Sequence, residues 1–313
     1  MEKAEHFISC DWGTTNFRLR VIQTETLKVL DERTTNQGVR LLNESFKGGD
    51  AIVRQRFFGT YLLSQIDLFL KQYQQLPVIV SGMASANIGM RELPYGDLPI
   101  AIGGASLNYQ DLNLPNEQTL RLISGVKSET GVMRGEETQA LGLLKQMKGG
   151  EVGTLLLPGT HSKHLAFSHG AFTDFSSYMT GEVFEVLCRE SILATSVLPG
   201  KWTAATGDRF QAGVLAGYTD GLTPHLFGVR ASHILRQTDL TENYYYLSGL
   251  VIGDELSHLP KNEHIYLAGS GALFRLYRFG LEVIGGGSNQ VTFFQDEALE
   301  QALLAGQREF LLR

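Results

Sequence analysis

One local pattern occurs twice in this chain, and it constrains the fold more than any bulk property. An apolar stretch runs into a Gly-Thr turn, and a second apolar or alternating stretch leaves it. The first copy is Phe7-Ile8-Ser9-Cys10-Asp11-Trp12-Gly13-Thr14-Thr15-Asn16-Phe17-Arg18-Leu19-Arg20. The second is Thr154-Leu155-Leu156-Leu157-Pro158-Gly159-Thr160-His161-Ser162-Lys163, continued by Leu165-Ala166-Phe167. Phe17, Leu19 and Val21 alternate with Asn16, Arg18 and Arg20, so each copy reads as strand, tight turn, strand. Sequence identity between the copies is slight. The recurrence still predicts two related halves, each offering a glycine turn at the end of a strand. The length of 313 residues agrees, since domains average about 150 residues.

The first turn gathers a carboxylate, a glycine, two hydroxyls and an amide, with a guanidinium close behind. Gly13 can take a positive φ and lets backbone N–H groups face inward. Amides and hydroxyls so placed can hold a phosphate. Asp11 would repel a bare phosphate, so its presence calls for a cation, Mg²⁺ held through water being the natural choice. The plainer reading of the same residues is a hairpin whose Asp and Thr satisfy their own backbone, and composition alone leaves both open.

Between the repeats, Val29 to Arg33 reads as a third strand. Gly48 to Gln75 reads as a helix, with Ile52, Phe57, Tyr61, Leu62, Ile66, Leu68 and Phe69 at helical spacing. Pro77 opens a buried strand, Val78-Ile79-Val80, which feeds the small-residue loop Ser81 to Gly89. In open α/β sheets ligands sit at such strand ends. Glu92 to Gln118 is loop-rich and Leu120 to Ser124 reads as strand. In Gly131-Val132-Met133-Arg134-Gly135-Glu136-Glu137-Thr138-Gln139 a loop with adjacent carboxylates enters a helix near Glu136. The helix dipole alone would favour acids there; a general base for a substrate hydroxyl is the functional alternative. Lys148-Gly149-Gly150 is the expected domain boundary.

After the second repeat, Phe172 to Phe175 and Tyr178 to Thr180 continue a meander, and Thr180, as N-cap, opens a helix through Arg189. Helices are expected over 210–217, 222–235 and 244–259. His225, His233 and His258, which lie there, lack metal-ligand spacing. Ile265-Tyr266-Leu267-Ala268 reads as a buried strand feeding Gly269-Ser270-Gly271 and a helix over 272–280, a setting that can flank adenine or a ribose phosphate. Short strands at 281–284 and 291–294 and a helix at 297–311 complete the chain.

The net charge of −6 and the absence of a dense Lys/Arg run argue against nucleic acid and anionic membranes as partners. Hydrophobic residues at 43% support large cores. Two cysteines, Cys10 and Cys188, are too few for a disulfide scaffold or a cysteine-built zinc site. The first residues are polar and no apolar run reaches about 18 residues, so a cytoplasmic protein is expected. Lys163 is followed by His164, which excludes a Walker A loop, and no GxGxxG fingerprint occurs.

These pieces in this order resemble the actin, sugar-kinase and Hsp70 superfamily, and more closely the 2-dehydro-3-deoxygalactonokinases. The resemblance rests on Asp11-Trp12-Gly13-Thr14-Thr15-Asn16 with Arg18, on Ser81-Gly82-Met83 and on Met133-Arg134-Gly135-Glu136-Glu137-Thr138-Gln139. It rests further on Pro158-Gly159-Thr160-His161-Ser162-Lys163, on Thr180-Gly181-Glu182 and on Leu267-Ala268-Gly269-Ser270-Gly271. The family usually places Trp after the lysine; His164 stands there instead, which bears on local packing.

The resemblance implies an α/β fold of two ribonuclease-H-like (actin-like ATPase) domains with an interdomain nucleotide cleft. Residues 1–147 would form one domain, with helix 297–313 packing back on it, and 148–296 the other, on the adenosine side. It implies ATP and Mg²⁺ as cofactors, a small-molecule sugar acid as substrate, and transfer of the γ-phosphate to the 6-hydroxyl of 2-dehydro-3-deoxy-D-galactonate. Asp11 would hold hydrated Mg²⁺, and Glu136 or Glu137 would take the hydroxyl proton, Glu136 being preferred because it follows the Gly135 turn. Gly13, Thr14, Thr15, Asn16, Gly159, Thr160, His161 and Lys163 would serve the phosphates, and Gly269, Ser270 and Gly271 the adenosine. Arg18, Ser81, Met83, Asn87 and Arg134 would meet the sugar acid. A phosphohydrolase of the same superfamily, acting on polyphosphate or guanosine polyphosphates, and a kinase for a related sugar acid are the alternatives. Oligomeric state is not legible, and a homodimer stays open.

Overall fold

In a computed structural model of the chain, which describes residues 4–69, 75–147, 152–285 and 291–312, the first repeat is an antiparallel hairpin. Strand β1 (His6–Trp12) pairs with β2 (Phe17–Gln23), which pairs in turn with β3 (Val29–Thr35). Alternation sorts the two faces. Ile8, Cys10, Trp12, Phe17, Leu19 and Val21 enter an apolar core, while Ser9, Asp11, Arg18 and Arg20 share the other face by register.

Helix α1 (Val39–Ser45), which the pattern of the sequence does not announce, follows; α2 (Ala51–Phe69) comes next. Phe58, Leu62 and Ile66, four residues apart, are its fully buried stripe. Trp12 lies against Phe17, Phe58 and Tyr61, with ring centroids 4.9, 5.7 and 5.8 Å away. The expected helix ran to Gln75; residues 70–74 lie outside the described residues. Strand β4 (Val78–Gly82) lies parallel to β1. After β5 (Ile100–Ala101), β6 (Tyr109–Asn113) and β7 (Thr119–Ile123), the order of the sheet is β3-β2-β1-β4-β7-β6. The small hairpin of β8 (Val126–Lys127) and β9 (Val132–Met133) leads to α3 (Glu136–Leu143). The Lys148-Gly149-Gly150 boundary lies outside the described residues.

The second repeat again gives an antiparallel hairpin, β10 (Val152–Leu157) with β11 (Ser162–Ser168), followed by β12 (Ala171–Tyr178). Helices α4 (Thr180–Glu190), α5 (Ala204–Asp220), α6 (Thr223–Arg236) and α7 (Leu240–Leu256) come next. Strand β13 (His264–Ala268), α8 (Gly271–Val283) and β14 (Val291–Phe294) complete the pattern, with β13 parallel to both β10 and β14. Residues 281–283, expected as strand, form the last turn of α8; Leu281 is buried against the helical core around Phe210, Val214 and Tyr277, so helical packing overrides a short β-prone run. Each half thus holds an antiparallel meander feeding parallel strands, the ribonuclease-H-like arrangement.

The chain divides into two units: 1–150 with 169–174 and 297–313, and 151–168 with 175–296. Helix α9 (Asp296–Leu311) accordingly carries its residues from 297 onward into the first unit. There it crosses α3 so closely that a Cβ on Gly142 would stand 1.7 Å from the Ala302 carbonyl oxygen, and one on Gly306 1.9 Å from that of Thr138.

Candidate active site

In the first unit, β1 and β4 are parallel and end at one edge of the sheet. Asp11 pairs in register with Ser81 and Trp12 with Gly82. Gly82 takes φ 93° and Gly135 φ 112°, backbone that favours glycine. A Cβ on Gly82 would lie 2.7 Å from the Trp12 carbonyl oxygen, and one on Gly135 only 3.5 Å from the Gly82 Cα. The start of α3 therefore rests on the ends of β1 and β4, and it brings Glu136 to the edge where Asp11 stands.

Gly13 does not take a positive φ, and its N–H donates 2.9 Å to the Asn16 carbonyl, closing the hairpin. The carbonyls of Thr15, Gly13 and Thr14 accept from Gly38, Val39 and Arg40 at 3.2, 3.0 and 3.1 Å. Helix α1 thus takes up the carbonyl side of the turn. The amides of Thr14 and Thr15 have no protein acceptor among the described residues, and Thr14, Thr15 and Asn16 are exposed. The helix was missed because its two buried residues, Val39 and Leu42, are too few to show a period.

The two neighbouring acids separate sharply. Glu137 is fully buried, and its carboxylate accepts from the Gly135 N–H at 2.5 Å and the Thr138 hydroxyl at 3.1 Å. Burial, with the Glu136 charge beside it, pushes its carboxyl up to about 8. Glu136 is half-buried and accepts from the Arg134 backbone N–H at 3.1 Å. Asp11 is half-buried, and its carboxylate takes no hydrogen bond from a protein group among the described residues. Burial lifts its carboxyl above the usual aspartate range, while Arg18 and Arg20 pull it back.

Several residues expected to meet the sugar acid are held by the protein. Ser81 is fully buried, and its hydroxyl accepts 2.9 Å from the Gln307 Nε2 of α9, which also donates to the Cys10 carbonyl. Arg134 donates 2.6 Å to both the carbonyl and the hydroxyl of Ser85, reaches the Leu93 carbonyl and stacks over Tyr95. These two side chains shape the 81–95 loop. Met83 is half-buried against the core. Asn87 is exposed. Arg18 pairs with Glu300 of α9 at 3.1 Å, and Glu300 also takes Arg20 at 3.0 Å. Glu300 and Gln307 lie 226 to 297 residues downstream of their partners, and no local signal in the sequence could have named them.

In the second unit, β10 and β13 are parallel and end together at Pro158-Gly159 and Gly269. A Cβ on Gly269 would sit 3.6 Å from the Pro158 ring. Gly181 packs on turn 158–160 so tightly that a Cβ would meet the Thr160 Cα at 2.7 Å and the Gly159 oxygen at 2.8 Å. The Glu182 N–H donates to the Thr160 carbonyl at 3.1 Å, so the start of α4 braces the turn. Thr180 is not the N-cap: it is the first helical residue, and its hydroxyl donates to buried Glu255. His161 is exposed and bonds Glu182 at 2.5 Å. Lys163 is buried and donates 2.6 Å to the His161 carbonyl, within its own turn. Thr160, Ser270 and Gly271 are exposed at this edge.

Two ribonuclease-H-like units, with glycine turns at parallel strand ends and a carboxylate pair at one of them, define an ATP-dependent phosphotransferase. The family pattern of 2-keto-3-deoxy-galactonokinase matches residues 11–306. A probable 2-dehydro-3-deoxygalactonokinase of Rhizobium meliloti is 32% identical over 98% of this chain and 98% of its own. The 2-dehydro-3-deoxygalactonokinase of Escherichia coli is 27% identical over 89% and 90%. Among solved structures, a protein of Sinorhizobium meliloti described as a candidate 2-dehydro-3-deoxygalactonokinase shares 30% identity, 96% coverage of both chains and a TM-score of 0.81. This chain belongs to the 2-keto-3-deoxy-galactonokinase family, and its chemistry is that of a sugar-acid kinase using ATP.

Proposed function

We propose that this chain transfers the γ-phosphoryl group of MgATP to the 6-hydroxyl of 2-dehydro-3-deoxy-D-galactonate, a small-molecule acceptor, in the cytoplasm. The observation that carries the reading is the pair of half-buried carboxylates, Asp11 and Glu136, at one strand edge beside a turn with unspent amides and hydroxyls. Among the described residues no helix is long and apolar enough to cross a membrane.

Among the described residues no three His, Cys, Asp or Glu side chains group into a metal cage. The one carboxylate at turn 11–15, that of Asp11, fits Mg²⁺, which is commonly held by one carboxylate, water and substrate phosphates. Asp11 would hold it, and the cation would supply neutralisation of phosphate charge. Glu136 would take the proton of the attacking hydroxyl onto its carboxylate. Glu137 is unsuited to that step, because both of its oxygens are engaged inside the protein and geometry precedes pKa in choosing a base. Thr14 and Thr15 would bind phosphate oxygens through amide and hydroxyl, and Thr160 is assigned the same role. Gly269 to Gly271 would lie along the adenosine. Arg18 would meet the sugar carboxylate, for which a guanidinium offers paired donors, and Asn87 a hydroxyl. On this reading residues 1–147 with 297–313 act as one domain and residues 148–296 as the other.

The test is a coupled ADP-release screen over 2-keto-3-deoxy sugar acids and common hexoses. ADP release that depends on 2-dehydro-3-deoxy-D-galactonate is expected. Release at the same rate without any sugar acid would replace the kinase by a hydrolase.

A further inference from the structure

We infer that Ser162, Tyr277 and Glu255 are positioning residues, a buried hydrogen-bond relay that fixes turn 158–160 for the phosphates of ATP; this rests on the kinase reading above. The carboxylate of Glu255, on α7, is almost wholly buried. A carboxylate so placed is costly unless its oxygens are satisfied, and three donors reach it. His164 Nε2 lies 2.9 Å from Oε1, the Tyr277 hydroxyl donates 2.5 Å to Oε2, and the Thr180 hydroxyl donates to the same oxygen.

The direction of the relay follows from counting protons. Tyr277 has one hydroxyl hydrogen, and Glu255 takes it. The Tyr277 oxygen is then an acceptor for the Ser162 hydroxyl at 3.0 Å. The Ser162 hydrogen goes to the Tyr277 oxygen because the other acceptor in reach, the Gly159 carbonyl, is farther at 3.5 Å; the Ser162 oxygen then accepts the Gly159 N–H at 3.3 Å. Every donor from the Gly159 amide onward points toward one negative charge, and bonds aligned in this way strengthen one another. Thr180, at the other arm, anchors the start of α4, whose Gly181 and Glu182 close on the Thr160 backbone. One carboxylate thus holds the turn from two sides, through the Gly159 amide and through α4. The elements it ties together, β11, α4, α7 and α8, are far apart in sequence.

Neither Ser162 nor Tyr277 is exposed enough to touch a ligand, so the effect must be read through the turn. Tyr277→Phe keeps the ring in the core and removes the relay hydroxyl; Ser162→Ala removes the next link. Each should raise KM for ATP about tenfold, the scale of one lost hydrogen bond, with KM for the sugar acid within twofold of wild type. The double variant should cost less than the product of the singles, because both cut one chain. Glu255→Gln, which keeps shape and loses charge, should raise KM for ATP as well. A merely structural role would lower the active fraction, hence kcat, and leave KM for ATP unmoved.

The measurements are steady-state kinetics in both substrates and ATP binding by calorimetry on full-length protein. Folded Tyr277→Phe and Ser162→Ala proteins that bind ATP as wild type does would overturn this inference alone. Wild-type protein that binds no ATP would overturn the kinase reading and the relay with it.

Discussion

At the residue scale, the proposed chemistry turns on the split between two adjacent acids. Glu136→Gln should lose more than about 100-fold in kcat, the usual scale for a general base, while Glu137→Gln retains most of it. The reverse result would exchange their roles. Asp11→Asn should lower kcat sharply in a protein with an unchanged circular dichroism spectrum; normal turnover at saturating MgATP would remove Asp11 from the mechanism. Glu137 also makes a prediction about stability. Its folded pKa, about 8, lies above the ordinary value of 4.5, so the folded state holds a proton that the unfolded state releases. Its contribution is present below pH 4.5 and is lost as pH rises toward 8. Thermal melts from pH 5 to 8 should show wild type losing more Tm with rising pH than Glu137→Gln. The types and spacing of these residues were legible in the sequence. Their separation was not, because burial depends on how α3 seats on Gly82 and α9, and no local pattern carries that.

At the scale of elements, the repeats announced both hairpins and the parallel strands that follow, since alternation and apolar runs are local signals. Close crossings left no such mark. Gly142 and Gly306 read as weak points in two helices, yet they let α3 and α9 approach within backbone distance. Gly142→Ala should destabilise the protein by at least about 1–3 kcal/mol, the range for overpacking, measured by urea unfolding. An unchanged midpoint would show that the crossing relaxes. Gly181 plays the matching part at turn 158–160, and so Thr180-Gly181-Glu182, read from the sequence as a helix start, is also a brace.

At the scale of the whole molecule, ligand binding is expected to show in stability. A ligand at 100 times its Kd adds roughly 2.7 kcal/mol to a fold that alone binds it, so saturating MgATP should raise Tm, and Asp11→Asn should shrink that rise. Two halves were foreseeable from the repeat, because each needs its own core. That the last helix belongs with the first strands was implied by the family resemblance and by no local pattern; the contacts that hold it there, Gln307 bonding Ser81 and Cys10 and Glu300 bonding Arg18 and Arg20, show only in three dimensions.

That last arrangement sets an order of events on the ribosome. Chains emerge from their amino end, and the stretch 151–296 contains nearly all of the second unit. The earlier-made strands must wait, with Ser81 and Arg20 uncovered, until residues near 300 and 307 leave the exit tunnel. A pause in synthesis shortly before residue 296 would hold the earlier half, still without its closing helix, open to chaperones and proteases.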